Sequence, residues 1–147
     1  LVIGATDDEE LNRRIHSDAE HLNKLCNIAD RPEACNFILP SIIHRGDLII
    51  AISTSGKSPA FAKHLRQKLE KEFGTEYADF LEMMGAVRKK LLSEEHSPEA
   101  HKPVFEKLIE SGLLDMIRNS RTEDINILIS EILGKEYTFE SLMPIKS

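Results

Sequence analysis

Cys26-Asn27-Ile28-Ala29-Asp30 is the stretch that decides the fold. An apolar run with strand character ends on a carboxylate, and Arg31-Pro32 then stops it. Upstream, Leu1-Val2-Ile3-Gly4-Ala5-Thr6 is a second apolar run. A run of this kind without polar alternation reads as a strand buried on both faces of a parallel sheet. Between the two, Leu11, Ile15, Ala19 and Leu22 recur at helical spacing. Strand, helix and strand within about thirty residues make a right-handed βαβ unit. Thr6-Asp7-Asp8-Glu9 reads as a capping box opening the helix, with the Thr6 hydroxyl as the cap. Asp30 then stands at the carboxyl end of a strand, where open α/β sheets bind ligands.

Downstream the pattern changes. Two apolar β runs, Ile42-Ile43 and Asp47 to Ser53, flank His44-Arg45-Gly46 and read as a hairpin with those three residues as its turn. The hairpin is too apolar to bury only one face, so a helix or a second subunit is expected over the other. Ser58-Pro59 starts a helix in which Phe61, Leu65, Leu69 and Phe73 fall four apart, and Gly74 stops it. A helix through Tyr77, Phe80, Leu81, Met84, Val87 and Leu91 follows. Ser97-Pro98, Pro103 and Gly112 are expected to break the next stretch into short helices. Thr122 to Gly134 forms another, with Ile125, Leu128, Ile129 and Ile132 inward. Met83 and Met84 read as core filler. The tail from Lys135 is expected to be loosely packed. The fold class is α/β followed by all-α: a partial Rossmann-like parallel sheet, a β-hairpin dimerisation region and a C-terminal helical domain. The boundaries fall at 1–36, 37–59 and 60–147.

Composition bounds the function. The chain has 147 residues, and its 41% hydrophobic content suffices for a core. The net charge of −6 with 30% charged residues argues against nucleic acid as partner. No apolar run approaches the roughly 18 residues of a membrane span. Asp7 to Glu10 cut short any signal-peptide reading of the first residues. Two cysteines, Cys26 and Cys35, are no disulfide framework, and a cytoplasmic setting is expected.

Asp30 leads the candidates for chemistry. A partly desolvated carboxylate beside a cleft gains general-base strength. The alternative is a solvated acid capping the Pro32-Glu33-Ala34 turn. Thr54-Ser55-Gly56-Lys57-Ser58 is a hydroxyl-rich turn before a helix, either an anion cradle or an ordinary capped loop. It lacks Walker A spacing. His16 and His21, five apart, do not share a helix face. His44 is placed in the hairpin turn, and His96 and His101 near Pro-containing loops. No His-x-x-x-His or Cys-x-x-Cys pattern supports a metal site, so the expected metal set is none.

Taken together, Leu1 to Asp8, Leu11-Asn12-Arg13-Arg14-Ile15, Cys26 to Asp30, Phe37 to Ile43 and Ser53 to Pro59 resemble the siroheme synthase dehydrogenase family over roughly residues 1–74. These are precorrin-2 dehydrogenases, some also sirohydrochlorin ferrochelatases. The resemblance implies a Rossmann NAD domain, a β dimerisation region and a helical tail. It also implies NAD-dependent oxidation of precorrin-2 to sirohydrochlorin. The family's proposed catalytic aspartate falls on Asp30. Thr54 matches a serine that is phosphorylated in some relatives. No Gly-x-Gly-x-x-Gly occurs, so the chain is expected to start partway through the Rossmann domain, with an incomplete NAD site bordered by Thr6 and Asp7. The substrate is rich in carboxylates, so Arg31, Arg45, Lys57 and Lys63, with Thr54 and Ser55 of the hydroxyl turn, are candidates to bind it. A homodimer is the expected assembly. The rival reading is a non-catalytic dimerisation or regulatory module without its cofactor half, and a third is metal insertion alone.

Overall fold

The computed structural model describes residues 1–29, 31–93 and 98–143, with the side chains of 98–100 set aside. Asp30, His96 and Ser97 therefore lie outside the described residues. The chain forms two compact units: residues 1–42 with 51–68, and residues 43–50 with 69–147.

The first unit holds the expected βαβ motif. Strand β1 (Val2–Gly4), helix α1 (Glu9–His21) and strand β2 (Cys26–Ile28) follow in order. β1 and β2 are parallel, with Val2 opposite Cys26 and Gly4 opposite Ile28. Ala19, Cys26 and Ile28 are fully buried, with Val2 and Ile15 packed against them. This is the core that the spacing Ile15/Ala19 anticipated. Gly4 makes the close approach possible. A Cβ there would stand 2.5 Å from Ile28 Cδ1 and 3.2 Å from Asn12 Oδ1.

The two-faced burial expected of β1 is not found. Ile3 is 51% exposed, because α1 covers one face only. The outer edge of β2 is closed by the chain that follows it. Asn36 Oδ1 accepts from Cys26 N (2.7 Å), and Asn36 N donates to Cys26 O (3.1 Å). Cys35 Sγ accepts from Ile28 N (3.2 Å) and lies 3.3 Å from Ile28 O. The ladder groups of β2 are thus satisfied without another strand.

Strands β3 (Ser41–Arg45) and β4 (Leu48–Ile52) form the hairpin. The turn is Gly46-Asp47, so His44 and Arg45 belong to β3 and not to the turn, contrary to expectation. Gly46 carries φ +56°, and a Cβ there would meet Ala78 Cβ at 2.8 Å. Both facts reserve the position for glycine. Alternation is clean: Ile43 is buried, while Ile42 (47%) and Ile49 (60%) are exposed. Helix α2 (Pro59–Glu72) starts where Ser58-Pro59 predicts, and Ser58 Oγ accepts from Phe61 N at 3.2 Å.

The second unit is helical: α3 (Glu76–Leu92), α4 (Pro98–Glu110), α5 (Leu113–Arg118), α6 (Thr122–Leu133) and α7 (Phe139–Leu142). Its core centres on Met83, Leu108, Leu113, Ile125 and Ile129, each at most 1% exposed. Pro103 does not break α4. The helix runs through it, with Val104, Phe105 and Leu108 packed on the core. That burial outweighs the roughly 3 kcal/mol cost of an interior proline. His101, expected near a loop, sits buried on α4.

Among its described residues, 135–143, the tail is not loose either. Tyr137 (2%) and Leu142 (3%) join the core. A reciprocal Thr138–Ser141 capping box opens α7. Asn126 Oδ1 accepts from Phe139 N at 2.6 Å, and Lys90 Nζ lies 4.4 Å above the Tyr137 ring. Among the described residues, no helix is long and apolar enough to cross a membrane.

Candidate functional site

At the carboxyl ends of β1 and β2 a cleft of about 450 Å³ opens. That volume lies at the small end of the ~300–1,000 Å³ usual for small-ligand pockets. Four pieces of chain line it: Thr6 and Asp7 after β1, Glu9, Asn12, Arg13 and His16 on α1, Ile28 and Ala29 ending β2, and Arg31, Glu33 and Ala34 beyond. Both of the expected cofactor-bordering residues, Thr6 and Asp7, are in it. So are the two chain neighbours of Asp30.

The cleft's rim is fixed by Asn12. Its Nδ2 donates to Thr6 O (2.8 Å), and its Oδ1 accepts from Thr6 Oγ1 (3.0 Å) and Thr6 N (3.4 Å). This occupies the Thr6 hydroxyl, which also approaches Asp8 O at 3.1 Å. The helix cap therefore passes from Thr6, as the sequence suggested, to Asp8. Asp8 Oδ1 accepts from Glu10 N (2.9 Å) and Leu11 N (3.0 Å).

Arg31 spans the opening, 2.7 Å from Glu9 and 3.9 Å from Glu33. Cys35 Sγ, 3.1 Å from Arg31 O, ties this loop back to β2. Cys26 lies beneath. Burial pushes its thiol up, and the neighbouring Cys35 adds to the effect. Both cysteines are free thiols.

The Gly/Ser turn lies elsewhere in the unit, where Thr54 and Gly56 line a separate cavity of about 80 Å³. Its amides are largely used internally. Ser58 N donates to Thr54 Oγ1 (3.2 Å), Lys57 N to Thr54 O (3.0 Å) and Ser55 N to Ser53 Oγ (3.2 Å). An anion would have to displace these bonds. Ser55, Lys57 and Lys63 are exposed. Arg45 belongs to the second unit, where its guanidinium donates to Phe73 O (2.8 Å) and Glu70 O (3.3 Å). That places it as a tie on the end of α2.

Sequence reasoning missed the α1 wall. Glu9, Asn12, Arg13 and His16 are spaced i, i+3, i+4, i+7, a polar stripe on one helix face. The spacing is visible in the sequence, but metal-ligand spacing between His16 and His21 does not point to it. His21 Nδ1 in fact lies 2.7 Å from Ser17 O. His16 Nδ1 is buried with no hydrogen-bond partner.

Known proteins match this arrangement. A family model for NAD(P)-binding matches residues 1–41, and one described as sirohaem biosynthesis protein central matches residues 45–72. A siroheme synthase from Psychrobacter cryohalolentis is 36% identical over 149 residues, covering 96% of this chain and 28% of that protein. One from Actinobacillus succinogenes is 34% identical, covering 93% of this chain and 29% of its own length. One from Escherichia coli O139:H28 is also 34% identical, covering 90% and 30%.

By sequence the chain is a relative of the siroheme synthases.

It spans less than a third of the length of these curated siroheme synthases. A solved structure of SirC, precorrin-2 dehydrogenase, shares the fold at a TM-score of 0.71 and 21% identity, covering 93% of this chain and 64% of that one. The N-terminus of α1 does not fit the pyrophosphate of the family's dinucleotide. A pyrophosphate is held by bare amides at a helix N-terminus. Here Asp8 occupies those amides of α1, and Glu9 and Glu10 fill the first turn. The walls of the cleft beside it carry the acids Asp7, Glu9 and Glu33 and the Asn12 amide.

Proposed function

We propose that this chain carries part of an NAD-dependent precorrin-2 dehydrogenase, acting in siroheme formation on the tetrapyrrole precorrin-2 and releasing sirohydrochlorin. The observation that carries the reading is a ligand-sized cleft at the carboxyl ends of the βαβ strands, in the segment matched by the NAD(P)-binding family model. When bound, NAD supplies the hydride acceptor. The substrate loses one hydride and one proton, so the second product set is NADH and a proton.

Within this reading Asp30 takes the proton. Asp30 follows Ala29, which lines the cleft, and a partly desolvated carboxylate gains the base strength for that step. Arg31, held by Glu9 and Glu33, positions a substrate carboxylate at the cleft mouth, and Asn12 keeps the Thr6-Asp7 rim in shape. The exposed hairpin face, with Ile42 and Ile49, joins two copies in a homodimer, the commonest symmetric assembly.

The test is anaerobic turnover of precorrin-2 by the complete protein carrying this chain, following NADH and sirohydrochlorin absorbance together. Asp30→Ala and Asp30→Asn should each lower turnover by about two orders of magnitude or more, with circular dichroism unchanged. Near-normal turnover by Asp30→Asn rules out proton abstraction by this residue. No NADH formation by the wild type rules out the dehydrogenase reading itself.

A further inference from the structure

The side chain of Cys35 turns back onto the end of β2 and meets three backbone groups there. Its Sγ accepts from Ile28 N (3.2 Å) and has two carbonyls within reach of its S–H, Arg31 O at 3.1 Å and Ile28 O at 3.3 Å. A thiol has one proton, so it donates to one carbonyl at a time while its sulfur accepts the strand amide. Cys35 is itself held in place through the adjoining Asn36. Asn36 Oδ1 accepts from Cys26 N (2.7 Å), and its Nδ2 donates to Lys24 O (3.1 Å).

These bonds converge on Arg31. Its N donates to Ile28 O (3.2 Å), and its O accepts from Ala34 N (3.0 Å) as well as facing the thiol. Its guanidinium reaches Glu9 at 2.7 Å and Glu33 at 3.9 Å, but all three side chains are about half exposed or more. Ion pairs in that much water fix little by themselves. The place of the guanidinium is therefore set by the backbone from which it extends, and a charged group binds well only when its support is rigid.

Resting on the dehydrogenase reading above, we propose that Cys35 is a positioning residue for the substrate: its thiol fixes the Arg31 backbone, and through it the fit of a substrate carboxylate at the cleft mouth. Cys35 touches no reacting atom, so its effect falls on KM and not on kcat.

Steady-state oxidation of precorrin-2 by the complete protein carrying this chain tests it, in a double-mutant cycle with Arg31. Arg31→Ala should raise KM about ten- to hundredfold, the range for a hydrogen bond to a charged group. Cys35→Ala should raise it about five- to tenfold, the range for one neutral hydrogen bond, with kcat unchanged. The double variant should match Arg31→Ala, because the thiol then has nothing left to position. Cys35→Ser keeps a donor and an acceptor on a shorter arm and should recover part of the loss. Cys35→Val, apolar at the same position, should recover none. Should Cys35→Ala not fold, Cys35→Ser carries the same cycle with a smaller rise in KM. Effects that multiply in the double variant would assign Cys35 to the fold at large and overturn the proposal. So would a KM unmoved by Cys35→Ala, or a loss confined to kcat. A wild type that forms no NADH removes the dehydrogenase reading and this role with it, whereas wild-type turnover with a KM indifferent to Cys35 removes this role alone.

Discussion

Gly4→Ala tests how tightly the cleft's floor is built. The added Cβ would stand 2.5 Å from Ile28 Cδ1, 3.2 Å from Asn12 Oδ1 and 3.6 Å from Ile15 Cγ2. The first distance is below any real Cβ contact, and Ile28 is only 2% exposed, so its terminal methyl has little room to retreat. Overpacking of this kind costs about 1–3 kcal/mol. Reduced backbone freedom in the unfolded chain offsets about 0.4–1 kcal/mol of that. A net loss of roughly 1–2 kcal/mol is expected. Ile28→Val removes the atom that clashes and by itself costs about 0.5–1.5 kcal/mol. The double variant should therefore cost hardly more than Ile28→Val alone, giving a coupling of about 1 kcal/mol or more. Both tyrosines lie in the second unit and there is no tryptophan, so fluorescence does not report on this motif. Amide hydrogen exchange across β1, α1 and β2 does, and 1.4 kcal/mol appears as about a tenfold faster exchange. Additive single and double effects, within about 0.5 kcal/mol, would falsify the close-approach account of Gly4.

Two further predictions concern the hairpin and the helical unit. Ile49→Asp should shift sedimentation from dimer to monomer at tens of micromolar protein without loss of fold, because Ile49 is 60% exposed while its neighbour Ile50 is partly buried. A wild type that sediments as a monomer removes the dimer proposal. Burial raises the Glu76 carboxyl, but its own backbone N–H, the Arg118 guanidinium and the Gly74 backbone more than offset this and hold it below the usual carboxylate range. A depressed carboxylate contributes stability above its unfolded value, near 4.3, and loses it as pH falls through the folded one. The second unit should lose stability on acidification below about pH 4.3. Glu76→Gln should be less stable at neutral pH and converge with the wild type in acid. Parallel unfolding curves across that range would dismiss the Glu76–Arg118 bridge, 2.9 Å long, as a contributor.

The local elements were legible from residue spacing alone. Apolar residues at strand and helix spacing depend only on which side of one element is dry, so β1, α1, β2, the hairpin, α2 and α6 were all legible. So was the carboxyl end of β2, where the cleft opens. Tertiary structure decided whatever depends on competition between partners distant along the chain. Asn12 takes the Thr6 hydroxyl across six residues, so Asp8 becomes the cap. Core contacts through Val104, Phe105 and Leu108 carry α4 past Pro103, and Asn126 anchors the tail that composition alone left loose. The cleft wall is the clearest case. Glu9, Asn12, Arg13 and His16 share a face in any helix, but only the packing of Ile15 and Ala19 on β2 turns that face over the strand ends. The same rotation buries His16 Nδ1 without a partner. A polar stripe on a free helix meets water all along its length, and it becomes the wall of a cleft only when the core fixes the helix's rotation.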